Sequence, residues 1–84
     1  MTKNRRPSAV SLWLLAMNLK RLRKARGYTQ HELARRSRLG QGYIGDIERE
    51  VVNCTLANLE ALADGLECSL YDLFAPVKRD PQSP

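Results

Sequence analysis

Acidic residues are almost missing from the first 38 positions of this 84-residue chain, where Glu32 stands alone against eleven lysines and arginines. The remaining 46 positions reverse the balance, with eight acids against three bases. The total of +5 and a pI near 9.7 therefore hide a polarised chain, positive on one side and negative on the other, the layout of a phosphate-backbone binder. Cysteine is scarce: Cys54 and Cys68 form no CxxC, and His31 is the lone histidine, so no zinc-ligand spacing exists. The two thiols read as small, reduced, part-buried residues of a cytoplasmic protein. Long hydrophobic runs are missing too. Ala9 to Met17 follows "KNRRPS" in the manner of a signal peptide, but no small-residue cleavage site follows it. It is also far short of the ~20 apolar residues a membrane span needs. Strand alternation, internal repeats, nucleophile–base sets and phosphate-cradling glycine loops after a strand are likewise missing, which leaves an enzyme without support.

What is present reads as one small all-α domain, a compact five-helix bundle. Residues 1–7 are basic and end in Pro7, the composition of a flexible arm; the folded domain spans 8–75; residues 76–84 are too polar and proline-rich to pack, a disordered tail. Ser8 or Ser11 caps a first helix running to about Arg26, with Leu12, Leu15, Leu19 and Leu22 inward and Gly27 as its stop. Val10, Trp13, Leu14 and Met17 form a second stripe, available to fold back on the fifth helix or to meet another molecule. "TQHE" from Thr29 has the form of a capping box opening a second helix, with Leu33 and Ala34 inward. A turn at 38–40 leads to a third helix, Gln41 to Arg49, with Ile44 and Ile47 inward. Thr55 caps a fourth that buries Leu56, Leu59, Leu62 and Ala63 and ends near Gly65. "SLYD" is a second capping box, opening a short fifth helix with Leu70, Leu73 and Phe74 apolar.

Two short helices joined by a tight turn in a helical bundle with a basic half describe a helix-turn-helix over about 30–49. The stretch "LKRLRKARGYTQHELARRSRLGQGYIGDIERE…NCTLANLEALADGLECSLYDLF" resembles the lambda-repressor/Cro (XRE-like) class of DNA-binding domain over residues 18–74. Within it, Tyr43, Ile44, Ile47, Glu48, Arg49 and Asn53 match the "YI-x-x-IER-x-x-x-N" pattern of restriction–modification controller proteins.

The resemblance implies a sequence-specific transcription regulator that binds double-stranded DNA as a homodimer on an inverted repeat, with neither cofactor nor small-molecule ligand. It places base reading on Gln41, Gly42, Tyr43 and Asp46. Gln41 suits adenine N6 and N7, Asp46 suits cytosine N4, and Tyr43 either meets DNA or packs on the protein. It places phosphate contact on Gln30, at the N-terminus of the second helix, and on Arg49 and Asn53. Lys24 and Arg35 are further phosphate candidates. Ala34 allows the two helices to approach, and Arg23 with Glu48 forms a buried ion pair that fixes orientation. Leu70, Tyr71 and Phe74 supply a dimer surface, with the Val10/Trp13/Met17 stripe as the alternative.

Three departures stand out. Arg38 and Glu50 replace the Gly or Asn usual at turn positions, where a left-handed backbone costs about 1–2 kcal/mol. Gly42 removes one reading side chain. The third helix carries Gly42 and Gly45 after Gly40, although each interior glycine costs about 0.5–1 kcal/mol; both are expected on or beside the face turned to DNA, where bare backbone approaches closely. Gly42, Asp46 and Glu50 also suit a second reading, a module of this fold that binds a protein, as an antitoxin or co-regulator would.

Overall fold

Residues 8–77 are described by the computed structural model; the expected arm over 1–7 and the expected tail from 78 onward lie outside them. Five helices follow in order: α1 (Ala9–Ala25), α2 (Gln30–Ser37), α3 (Gln41–Glu48), α4 (Leu56–Leu66) and α5 (Leu70–Leu73). Among the described residues there is no strand, and no helix is long and apolar enough to cross a membrane.

Four of the five starts carry a side-chain cap where the sequence implies one. Ser8, Thr29 and Thr55 each accept from the backbone N–H three residues on, at 3.0–3.1 Å. At Ser69 both halves of the box close, since the Asp72 carboxylate also accepts from Ser69 N–H at 2.9 Å. The box at Thr29 is one-sided, contrary to expectation. Glu32 does not reach back, because its carboxylate is claimed by Arg35 at 2.6 Å and Arg36 at 2.7 Å.

The core is built from Leu15, Leu19, Leu33, Ala34, Ile44, Ile47, Leu62, Ala63, Leu66 and Leu73. α2 packs against both α3 and α4, and α1 lies across α3 and α5. Being covered from two directions changes which face of α1 is inside. Ala16 and Asn18 are buried, whereas Leu12 and Leu22 reach only half-burial. Asn18 takes the place that a leucine would hold. Its amide donates to Leu14 O at 3.1 Å and to Ala75 O at 2.9 Å, and its oxygen accepts from Arg21 at 2.8 Å. With every polar atom partnered, this buried amide ties the segment after α5 to α1 instead of costing stability. Of the second stripe, Trp13, Leu14 and Met17 are half-buried and Val10 is exposed. Leu56, expected inside, is 64% exposed, because it lies on the first turn of α4 at the rim of the bundle.

Helix ends follow expectation at Gly27, Arg38 and Glu50 and depart from it at Glu67. Gly27, at φ 74°, terminates α1 as anticipated: Gly27 N–H bonds Lys24 O and Tyr28 N–H bonds Arg23 O. The same left-handed terminator recurs after α2, α3 and α4, but there it is Arg38 (φ 61°), Glu50 (φ 66°) and Glu67 (φ 56°). α4 ends near Gly65 as expected, at Leu66, but the left-handed residue is Glu67 and not the glycine. Gly65 is buried inside the helix, where an added Cβ would sit 3.1 Å from the Ser37 backbone nitrogen. The glycine suits the close crossing of α2 and α4, and the chain turns two residues later at Glu67. Arg26 holds that turn, donating to the Glu67 carboxylate at 3.0 Å and to its carbonyl at 3.1 Å.

Candidate nucleic-acid interface

The helix expected to read bases begins without a side-chain cap. Gly40 has no side chain to bond the free N–H groups of the first turn, and no acid sits there. What fixes α3 is behind it. Ile44 and Ile47 are fully buried, and Glu48 forms a two-pronged pair with Arg23 of α1, at 2.7 and 3.1 Å. The side chains of this pair are only 12% and 6% exposed. Arg23 also donates to Tyr28 O at 2.9 Å, so the guanidinium braces the α1–α2 turn as well as α3. A pair so enclosed sets orientation more than it adds net stability, because both ions lost their water.

Gln30 joins this network. Its amide nitrogen donates to Glu48 Oε1 at 3.0 Å. One amide hydrogen is thus committed to the protein, and a second remains at the N-terminal edge of α2. Gln41 and Gly42 are exposed, and nothing lies within 4 Å of where a Cβ on Gly42 would be. Gln41 makes no side-chain hydrogen bond to the described residues, and with His31, Ala34, Arg35 and Leu39 it lines a shallow cleft of about 480 Å³ between α2 and α3.

Tyr43, left open between DNA and protein, has its hydroxyl engaged by protein. It donates to Asn53 O at 3.2 Å and accepts from Asn58 at 3.1 Å, fastening α3 to the following loop and to α4. Burial first, then the neighbouring Cys54 thiol, pushes its ionisation up. Burial likewise pushes the Cys54 and Cys68 thiols up, which keeps both protonated; both are free and half-buried. Asp46 does not stand unpaired, for Arg49 one turn on forms an ion pair with it. Gly45 is buried rather than bare to the outside, and the side chains of Gln30 and Arg49 border it.

The basic half is less positive than its composition suggests. Arg23, Arg26, Arg35 and Arg36 all have carboxylate partners, and Arg36 also stacks over the Tyr28 ring at 4.4 Å. Arg35 nevertheless stays exposed, and its hydrogen bond holds the Glu32 carboxyl below the ordinary value. Lys24 is exposed on the last turn of α1, with no ion pair among the described residues, and Asn53 is exposed on the loop after α3.

On another side of the bundle Leu70 and Phe74, with Tyr71 at 88% exposure, join Leu56 and Leu59 around an apolar groove of about 430 Å³. Leu56 went unrecognised as part of this surface because its spacing on α4 matches the inward face. Asn18 carried one available signal, a polar residue set among apolar helix positions. Gly65 and Ser37 carried none, since only the crossing of two helices makes them neighbours.

Comparison with known proteins points to helix-turn-helix regulators. The helix-turn-helix family HTH_3 matches residues 19–73. A hypothetical transcription factor of Neisseria meningitidis is 36% identical over 63 residues, covering 75% of this chain and 59% of that protein. The uncharacterized HTH-type transcriptional regulator y4dJ of Sinorhizobium fredii is 37% identical over 68 residues, 81% of this chain and 88% of the relative. Among solved structures, the restriction–modification controller protein C.AhdI of Aeromonas hydrophila superposes with a TM-score of 0.75 at 35% identity, covering 77% of this chain and 98% of that one. With its sequence pattern, its five helices and these relatives in agreement, the chain belongs to the XRE-like helix-turn-helix family.

Proposed function

We propose that this protein is a sequence-specific DNA-binding transcription regulator that binds an inverted-repeat operator as a homodimer, with α3 in the major groove. One observation carries the reading. The first turn of α3 offers Gln41 with an unclaimed amide and Gly42 with open space above it, while the rest of that helix is locked from behind. That is the arrangement for a helix entering a groove N-terminus first.

In this reading Gln41 is the main base contact, donating and accepting on adenine N6 and N7. Gly42 brings backbone close to the base edges. Tyr43 offers its ring edge to a thymine methyl, its hydroxyl being occupied. Asp46, neutralised by Arg49, no longer repels the duplex, so its place on α3 is compatible with contact to cytosine N4. Gln30, Arg35, Arg49, Asn53 and Lys24 serve the phosphates, and fewer side-chain base contacts throw weight onto DNA shape. A single domain reads too few bases to find a genomic site. Two copies joined through Leu70, Tyr71 and Phe74 would set their α3 helices about 34 Å apart on one DNA face. Such a regulator works in the cytoplasm on the nucleoid and responds to its own concentration or to a protein partner.

Selection of bound duplexes from a random pool tests this directly. An enriched inverted repeat, with the logarithm of the binding constant falling linearly against log salt, is the expected result. No enrichment, together with a flat salt response, would favour the protein-binding module instead.

A further inference from the structure

We propose that Gly45 is a positioning residue for DNA contact: the notch left by its missing side chain seats the Arg49 guanidinium back along α3, beside Gln30. Two glycines interrupt α3, but their surroundings differ. Gly42 faces open space. A Cβ on Gly45 would lie 3.2 Å from Arg49 Nη1 and 3.5 Å from Gln30 Oε1, and the nearest atoms apart from its own helix backbone all belong to side chains. That sets it apart from Gly65, whose added Cβ would strike Ser37 backbone at 3.1 Å. At 65 a side chain would press on the backbone of a neighbouring helix, which gives way less readily. At 45 it would press only on the tips of two polar side chains.

Those two tips arrive from opposite ends of the motif. Gln30 opens α2, and its amide nitrogen is held at 3.0 Å by Glu48, which Arg23 holds in turn at 2.7 Å. Its oxygen therefore points at the notch by constraint. Arg49 follows α3 and folds back, its Nη2 paired with Asp46 and its Nη1 against Gly45. The guanidinium is paired with Asp46 and lies over Gly45, yet its side chain stays 65% exposed, which leaves N–H groups of its rigid fork free to meet a phosphate. A flexible arginine costs conformational entropy when it is ordered on a ligand; one already seated costs less.

Stability and binding should consequently move in opposite directions. Alanine favours the helix more than glycine does, and the displaced atoms are the ends of flexible chains, so Gly45→Ala leaves the fold intact or raises its melting temperature. The same change unseats Arg49. The purpose of the seat rests on the DNA-binding reading; its existence does not.

The test uses the full chain with Gly45→Ala, Arg49→Ala and the double variant. In the free protein, the Arg49 Nε and Gln30 Nε2 side-chain resonances should shift on Gly45→Ala while core amides hold. Against the selected duplex, Gly45→Ala should flatten the salt slope by about 0.9, as loss of one phosphate contact does. Adding it to Arg49→Ala should then change nothing. Unshifted side-chain resonances overturn the seat whether or not DNA binds. Wild-type binding that Gly45→Ala leaves untouched, or additive losses in the double variant, overturn its role. Failure of the wild type to bind any duplex sinks the functional reading instead, and the free-protein resonances still decide the seat.

Discussion

Helices α2 and α3 are each eight residues long and pack side by side, yet they are stabilised by different means. α2 holds itself: Thr29 caps it, and Glu32 pairs with both Arg35 and Arg36 along its own surface. α3 has no cap and two interior glycines, and depends on Ile44, Ile47 and Glu48 reaching into other parts of the molecule. The helix proposed to touch bases is the one that local forces would not form. Its first turn, Gln41 and Gly42, is left exposed, with the Asp46–Arg49 pair as the one local tie farther along, while its inner face is fixed against α1 and α2.

That contrast can be broken from either end. Glu48→Ala should have the largest effect, about 3–5 kcal/mol, because it strands Arg23 as a buried unpaired charge and releases Gln30. Denaturant unfolding measures it, and a cost under about 1 kcal/mol would mean the pair is solvated. Ile44→Ala, which opens a cavity behind α3, should cost about 2–5 kcal/mol in the same experiment. On the α2 side the effects shrink. Thr29→Ala should cost about 1 kcal/mol, the worth of one hydroxyl cap. If it exceeded Ile44→Ala, the comparison would be reversed. Smallest of all is the pH effect at Glu32. Arg35 holds this carboxyl below its ordinary value of 4.5, so the pairing contributes fully above that pH and is lost as pH falls through the lower, folded value. As the group is exposed, the loss should show as a carboxyl chemical-shift titration with little change in melting temperature.

Much was legible locally. The caps at Thr29, Thr55 and Ser69, the stop at Gly27, and the inward pairing of Ile44 and Ile47 all follow from spacing and side-chain chemistry within a few residues. The two unfavourable turns were legible only through the family resemblance: Arg38 and Glu50, where relatives favour Gly or Asn, do adopt positive φ. Leu12, Leu22 and Leu56 were misplaced because apolar spacing marks a face without saying how far a neighbouring helix covers it. At Thr29 the capping-box pattern overreached, since Glu32 had two arginines competing for it within its own helix.

The glycines draw the boundary between what the chain order dictates and what packing decides. By itself the sequence determined where helices start, which family pattern it carries, and that one half is basic; the starts depend on interactions three or four residues apart, and the other two are read directly from residue order. It suggested that glycines end helices, and at Gly27 one does. Elsewhere the molecule turns on Arg38, Glu50 and Glu67 and keeps Gly65 and Gly45 inside helices, where an added carbon would meet Ser37, or Arg49 and Gln30. Only the assembled bundle could assign those places. Whether a position lacks room for one carbon depends on atoms brought near from distant parts of the chain.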